Sequence, residues 1–294
     1  MAYRKLLLPV IGTAAGEAAL ATAFLAARLW RAHLQALHVR IDPRDVAPLA
    51  GEGLSGAMIE EMMSATEREA AERARKAEAL FARFVEQNGV PVVSDPAQAF
   101  TAGTVTASFA AVVGREEEVV AQQARLADIV VLAHPAPEDD VSTSDALHAV
   151  LFDSGRPVMV SRRTPPATIG RRVAIAWNGT AESSAAVAAG LAWLERAETV
   201  RVLHAEEYQR RGPDVSGLVD YLAWHGVAAE TRAFRPIGSS GGSVGAGLLA
   251  AAAEFEADLL IMGAYSHSRL RQLILGGVTR HVLEHADVTL LMNR

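Results

Sequence analysis

The chain has 294 residues, half of them apolar and 21% charged, which is typical of a globular protein long enough for two ordinary domains. Its formal net charge of −6 gives nucleic acid no general attraction, so we expect no nucleic-acid partner and only a local anion site. Cysteine is absent, which excludes disulfides, thiolate metal sites and cysteine nucleophiles.

The first apolar run, "LLLPVIGTA" at 6–14, follows two basic residues and has the pattern of a short signal peptide. A near copy, "VAIAWNGTA", stands at 173–181 in the middle of the chain, which favours a structural element instead. The longest uncharged apolar stretches, such as 18–27, hold about 10 residues, whereas a membrane span needs about 20. We therefore expect a cytoplasmic protein with no membrane segment.

Three further segments of the first half recur in the second half in the same order. The matched segments are 34–39 with 200–205, 127–134 with 257–264, and 156–163 with 288–294. A repeat of this length indicates a duplicated domain rather than a solenoid. The sequence predicts domains at 1–163 and 170–294, joined by a linker that contains Pro165 and Pro166.

The elements of the second copy alternate between short apolar runs and helical patterns. Strands are predicted at 172–176, 199–205, 229–234, 257–263 and 288–292, and helices at 180–196, 213–225, 243–255 (with Ser243 as its N-cap) and 276–285. Continuous apolar strands that alternate with helices indicate a parallel sheet covered on both faces. The predicted fold class is α/β: two tandem doubly wound domains, each with five parallel strands in the order 3-2-1-4-5, related by a pseudo-two-fold axis.

The first copy differs in its middle, where residues 55–88 form one long helical pattern. Its apolar positions alternate with paired charges at helical spacing. We interpret it as a helix with one solvated face. The alternative is a helix that recruits a protein partner or a second chain as a homodimer.

A ligand of a doubly wound sheet binds beyond the carboxyl ends of the strands, where the strand order reverses. In the second copy, "WNGTAES" and "GAYSHSRLRQLILGGVT" follow the two strands that flank this point. Gly179 permits a sharp turn, Asn178 offers an amide to a ribose or base, and Gly263 leaves room for a flat ring. The helix that opens with Gly276, Gly277, Val278 and Thr279 presents free N–H groups to a phosphate.

These residues resemble the universal stress protein family, of the adenine-nucleotide alpha-hydrolase-like superfamily, and the order of elements covers the chain twice. Nucleotide-binding members carry Gly, two residues, Gly, nine residues, Gly, then Ser or Thr. Gly263 and Gly276 fill the first and third places, while Ser266 and Gly277 depart from the pattern. Asn178 replaces an aspartate, and so cannot offer a ribose a charge-assisted hydrogen bond.

The resemblance implies ATP, with or without Mg²⁺, as the ligand of the second domain, and an adenine nucleotide as its small-molecule partner. The implied binding residues are Ala176, Trp177, Asn178, Gly179, Thr180, Leu203, His204, Met262, Gly263, Ser266, His267, Arg269, Gly276, Gly277, Val278 and Thr279. In the first copy Ala133, Ala136, Ala146 and Leu147 occupy the glycine positions, and acidic residues at 138–140 and 145 line the loop. Carboxylates repel a phosphate, so the first domain is predicted to have lost the site.

Other interpretations of these patterns stay open. The Gly276–Gly277 pair is also explained by a tight helix entry without a ligand. "SSGGSVG" at 239–245 resembles the phosphate loop of ATP pyrophosphatase-type enzymes, but it lacks their aspartate and follows the third strand. His281 and His285 have the spacing of a metal pair, without a third ligand.

The favoured function is a regulatory or signalling switch in a stress response, without catalytic residues or a metal. The alternatives are a nucleotide-independent interaction module and a slow ATP-hydrolysing enzyme.

Overall fold

A computed structural model describes residues 3–42, 56–135, 142–205, 212–238, 241–265 and 277–294. The strands of the first half are β1 (Lys5–Pro9), β2 (His33–Arg40), β3 (Thr106–Val113), β4 (Ile129–Leu132) and β5 (Val158–Val160). Its helices are α1 (Ala14–Trp30), α2 (Gly56–Asn88), α3 (Pro96–Thr101), α4 (Glu116–Ala124) and α5 (Ser142–Ala149), and a π-helical turn at Val150–Ser154 continues α5.

The described residues of the second half repeat the alternation, with four helices between five strands. Its strands are β6 (Arg172–Ala176), β7 (Thr199–Ala205), β8 (Ala229–Phe234), β9 (Leu259–Gly263) and β10 (Thr289–Asn293). Its helices are α6 (Ala181–Leu194), α7 (Val215–Trp224), α8 (Gly241–Glu254) and α9 (Gly277–His285). Thr180 caps α6 and Asp214 caps α7 through side-chain oxygens that accept backbone N–H groups of the first turn.

All ten strands form one sheet in the order β3-β2-β1-β4-β5-β10-β9-β6-β7-β8. Each half is parallel and has the predicted 3-2-1-4-5 order, so the predicted fold class is confirmed. β5 and β10 meet antiparallel at the centre, with Val158 opposite Met292 and Val160 opposite Leu290. The order is a palindrome about this junction, which is the signature of a pseudo-two-fold axis. Since β5 and β10 pair inside the chain, neither is an open edge.

Apolar side chains form one core on each face of the sheet, and each core contains residues of both halves. On one face, Tyr3 and Trp30 of the first half pack edge-on with ring centroids 4.7 Å apart, and Trp30 packs against Trp193 of α6 at 4.5 Å. The Tyr3 hydroxyl donates to the carbonyl of Ala189 at 2.6 Å. These contacts join the halves beyond the three residue pairs of the β5–β10 junction.

One predicted helix boundary is wrong. α8 begins at Gly241, so Ser243 lies inside the first turn, where it is buried, and is not the N-cap. The predicted long helix at 55–88 is present from Gly56 to Asn88, while residue 55 lies outside the described residues. Across the described ranges, no helix is both long and apolar enough to cross a membrane.

Candidate functional site

The loop after β6 makes local contacts that fix the start of α6. The Trp177 indole is buried in the core and donates from Nε1 to the carbonyl of Pro213 at 3.1 Å. Asn178 Oδ1 accepts from the Thr180 N–H at 3.2 Å and from the Thr180 hydroxyl at 2.9 Å. The oxygen of Asn178 therefore serves the helix cap, while its amide nitrogen has no partner among the described residues. Ala176, at the end of β6, is half-buried.

Gly179 turns the chain as predicted, with φ of +76°, and it also permits a close approach of backbones. A Cβ at Gly179 would lie 2.9 Å from the carbonyl oxygen of Pro213. The repeat places Gly12 at the same point of the first half, where a Cβ would lie 2.5 Å from Cβ of Lys76 in α2. Both glycines thus lie beneath the segment that follows the second strand of their half, which explains why both copies keep them.

Two of the predicted base contacts lie at the end of β7. Leu203 is fully buried and His204 is half-buried. In the first half the matching His38 places Nδ1 2.9 Å from the carbonyl oxygen of Val10, to which it donates. His204 makes no such bond with a described residue, so the two histidines differ in their hydrogen bonding although they share a place in the fold.

Gly263 ends β9, and the space on its Cβ side is filled by protein rather than left for a flat ring. A Cβ there would lie 2.5 Å from the backbone nitrogen of Ser183 and 2.6 Å from the carbonyl carbon of Glu182. The first turn of α6 therefore packs directly on this glycine. Met262, the preceding residue, is buried in the core of the opposite face.

Tyr265 anchors the segment after β9 to the first half, a contact that the sequence does not reveal. Its ring is buried and lies 5.4 Å from the His148 ring and 5.3 Å from the Phe152 ring, measured between centroids. Its backbone has φ of +58°, and its N–H donates to the Thr279 hydroxyl at 3.4 Å. Burial raises the pKa of the Tyr265 hydroxyl, which has no hydrogen-bond partner among the described residues.

The first described turn of α9 begins with Gly277, which is exposed, followed by Val278, which is half-buried. Thr279 is buried and its hydroxyl accepts from the Tyr265 N–H, so it holds the backbone of Tyr265 rather than pointing freely at a phosphate. Ser266, His267, Arg269 and Gly276 lie outside the described residues, as do the acidic residues 138–140 of the first half. The phosphate cradle therefore stays a prediction.

The first half contains a cleft of about 330 Å³ that the sequence analysis did not predict. It lies between α2 and the carboxyl ends of β1 and β2, at the place that corresponds to the predicted base contacts of the second half. Val10, His38, Arg40, Arg73 and Lys76 are among its lining residues. The sequence signal for it was the long helix, because the middle of α2, from Thr66 to Lys76, forms one wall of the cleft.

The histidine pair and the glycine-rich loop have structural explanations. The rings of His281 and His285 stack with centroids 4.2 Å apart, and His285 Nδ1 lies 3.0 Å from the His281 carbonyl. A Cβ at Gly245 would lie 2.9 Å from Cβ of His281, so this glycine lets α8 and α9 approach closely. Within the described part of the chain no three His, Asp or Glu side chains converge as metal ligands.

Residues 170–294 match the model of the universal stress protein family. A universal stress protein from Archaeoglobus fulgidus DSM 4304 superposes with a TM-score of 0.61 at 14% identity, over 99% of this chain and 98% of its own. A functionally unknown protein from Pseudomonas aeruginosa PAO1 superposes with a TM-score of 0.56 at 14% identity, over 99% and 92%. These identities show the fold alone, and no curated protein matches the sequence. The second half of the chain is therefore a universal stress protein domain, and the whole chain has the tandem fold seen in members of that family.

Proposed function

We propose that the second domain binds an adenine nucleotide, ATP with Mg²⁺, and that the protein acts as a regulatory switch in a stress response in the cytoplasm. One observation carries the proposal: the described part of α9 begins at Gly277, and α9 is the next described element after β9, the strand that lies beside β6 at the reversal of strand order. The free N–H groups of a helix start at this point favour an anion. The match of residues 170–294 to the family supports the same site.

Different residues contact the phosphates, the ribose and the base of the nucleotide. The first N–H groups of α9 contact the phosphates, and the Asn178 amide nitrogen donates to the ribose. His204 borders the base at the end of β7. Thr180 and Gly179 act indirectly by fixing the segment between β6 and α6, and Thr279 acts indirectly by fixing the backbone of Tyr265. The proposal is of a binding protein, in which ATP hydrolysis is at most slow and incidental.

Calorimetric titration of ATP with Mg²⁺ at low salt tests the proposal. Gly277→Asp places a carboxylate at the start of α9, where it interacts favourably with the helix dipole but repels a phosphate. We expect saturable binding to the wild type and a loss of at least about tenfold in affinity, equivalent to about 1.4 kcal/mol, in this variant. Ser142→Asp, at the start of the matching helix α5, is the control and leaves affinity unchanged.

A flat titration of the wild type up to millimolar ATP contradicts the proposal. Equal losses in both variants contradict the assignment to the second domain. Steady phosphate release at about 1 per second or faster would instead favour an enzyme.

Helix α2 supports a second candidate function, recruitment of a protein partner. Its buried residues are confined to Ala77, Leu80, Phe81 and Val85, while Met58 near its start is 53% exposed. The first two-thirds of the helix therefore offer a surface without a core role.

Because the chain has no cysteine, a photo-crosslinker can be attached at a single introduced site. Glu60→Cys labels the exposed start of α2, and Glu195→Cys, exposed after α6, is the control. Protein adducts formed in cells from Glu60→Cys alone support recruitment through α2. The same adducts from both variants, or none from either, contradict it.

A further inference from the structure

The amino ends of the strands in the first domain surround a second cleft, which lies at the same edge of the sheet as the carboxyl ends of the second domain's strands, because β5 and β10 are antiparallel. This cleft has a volume of about 390 Å³ and lies between the starts of β1 and β2, the end of α1, and α3. Three cationic residues line it: Arg4, Lys5 and Arg31. We call this cleft the basic edge.

The cationic side chains of the basic edge have no carboxylate at ion-pair distance: among the described residues, none of the three forms an ion pair. Burial lowers the pKa of the Lys5 ammonium, and the nearby Asp128 carboxylate partly offsets that effect. Asp128 Oδ2 accepts the N–H groups of Arg4 and Lys5 at 2.7 and 2.9 Å, so it is engaged by backbone rather than by the cationic heads.

Two further titratable groups line the cleft, and neither cancels its positive charge. Asp95 caps α3 by accepting the Ala97 N–H at 3.0 Å. His33 lies between the hydroxyls of Thr106 and Ser108, each 2.9 Å from a ring nitrogen. Burial, and secondarily the charge of Lys5, lowers the pKa of His33, so the ring is neutral at pH 7. Among the described residues, three cations and one carboxylate, that of Asp95, therefore line the cleft.

The second domain shows that the fold is compatible with paired cations at the positions that match Arg4 and Lys5. Lys5 of β1 pairs with His33 of β2, and Arg172 of β6 pairs with Thr199 of β7. Arg171 and Arg172 therefore occupy the positions of Arg4 and Lys5. Arg171 pairs with Glu198 at 2.7 Å, and Arg172 donates to the Phe255 carbonyl and lies 3.9 Å from Glu256.

The next position along the edge shows the same contrast. Arg201 pairs with Glu230 at 2.8 Å in the second domain, where the first has Gln35 and Ser108. The arginines at the matching edge of the second domain therefore lie beside carboxylates, whereas the matching cations of the first domain form no ion pair with a described residue.

An exposed aromatic ring completes the basic edge. Phe100 of α3 is 73% exposed, and the Arg4 guanidinium carbon lies 5.5 Å from its ring centroid. An exposed ring beside clustered cations suits a ligand with a flat apolar part and an anionic part.

We propose that the basic edge binds a small phosphomonoester, with its phosphate among Arg4, Lys5 and Arg31 and its flat group against Phe100. Arginine matches phosphate oxygens with paired N–H donors, which favours phosphate over a lone carboxylate.

Calorimetric titration with phenyl phosphate at low salt tests the proposal, with phenol as the neutral control probe. Two variants remove cations: Arg4→Gln, and Arg31→Asn, which suits the left-handed φ of +52° at that position. We expect phenyl phosphate to bind the wild type and each variant to lose at least about tenfold in affinity. Arg171→Gln, the matching but paired arginine of the second domain, is the control and leaves affinity unchanged.

The outcomes also separate this site from the proposed nucleotide site. Gly277→Asp leaves phenyl phosphate binding unchanged if the basic edge is the site. No binding to the wild type at millimolar phenyl phosphate overturns the proposal. Binding that survives in both Arg4→Gln and Arg31→Asn, or that falls equally in Arg171→Gln, overturns it too, as does equal affinity for phenol.

Discussion

Gly263 ends β9, the strand that lies beside β6 at the proposed nucleotide site, and its replacement by alanine separates a packing role from a ligand role. The added Cβ would lie 2.5 and 2.6 Å from backbone atoms of Ser183 and Glu182, at the first turn of α6. Backbone atoms in a capped helix cannot rotate away as a side-chain end can. The turn would have to shift, and with it the Thr180 cap and the Asn178 side chain that bonds it.

The cost of Gly263→Ala follows from overpacking, offset by the smaller entropy of the unfolded chain. Inserting a group into a filled site typically costs about 1–3 kcal/mol, and two backbone contacts place this variant in the upper part of that range. Replacing glycine also stabilises the folded protein by about 0.4–1 kcal/mol, because the unfolded chain has fewer conformations to lose. The net loss of about 1–2.5 kcal/mol corresponds to a fall in Tm of roughly 2–10 °C.

Scanning calorimetry of the ligand-free protein measures this loss, and hydrogen exchange locates it. The Ser183 amide, in the first turn of α6, should exchange faster in Gly263→Ala than in the wild type. Gly56→Ala is the control, because a Cβ there meets no atom within 4 Å, and its Tm should not fall. An unchanged Tm in Gly263→Ala, with unchanged hydrogen exchange at Ser183, would refute the packing role and support the predicted role of Gly263 in ligand binding.

Three other results are expected. Trp193→Ala should cost about 3–5 kcal/mol and lower the unfolding temperature of both halves together, because Trp30 packs on that ring; a calorimetric trace in which only one half shifts would contradict this. Arg162→Ala should cost less than about 1 kcal/mol, since its bond to the exposed Asp287 is open to water; a larger loss would give that pair a structural role. Burial lowers the pKa of His134 below its ordinary value of about 6.5. Because the unfolded chain then binds the proton at a higher pH than the folded protein, the free energy of unfolding should be constant above pH 6.5 and should fall as the pH drops toward the pKa of the folded protein. His134→Gln should flatten this pH dependence in urea melts.

Much of the second domain could be predicted from residue patterns. The strands at 172–176, 199–205 and 229–234 have the predicted bounds; the first two contain apolar runs between turn signals, and the third, AETRAF, is the weaker pattern. The start of α8 was misplaced, because Ser243 has the chemistry of an N-cap while the glycines before it are in fact helical. Gly263 was assigned to a ligand because the spacing of glycines records where a side chain is absent, not which atoms fill the space.

The sequence by itself determined the duplication, the α/β alternation and the strand order of each half, since these depend on local periodicity and on the handedness of crossovers. Only the tertiary structure decided how the halves meet, because the pairing of β5 with β10 and the stacking of Trp30 on Trp193 join residues about 130 to 160 positions apart, beyond any local signal. It also decided that Gly263 lies under α6 and that, among the described residues, Arg4, Lys5 and Arg31 form no ion pair, because the pairing of charges depends on which side chains the fold brings within reach.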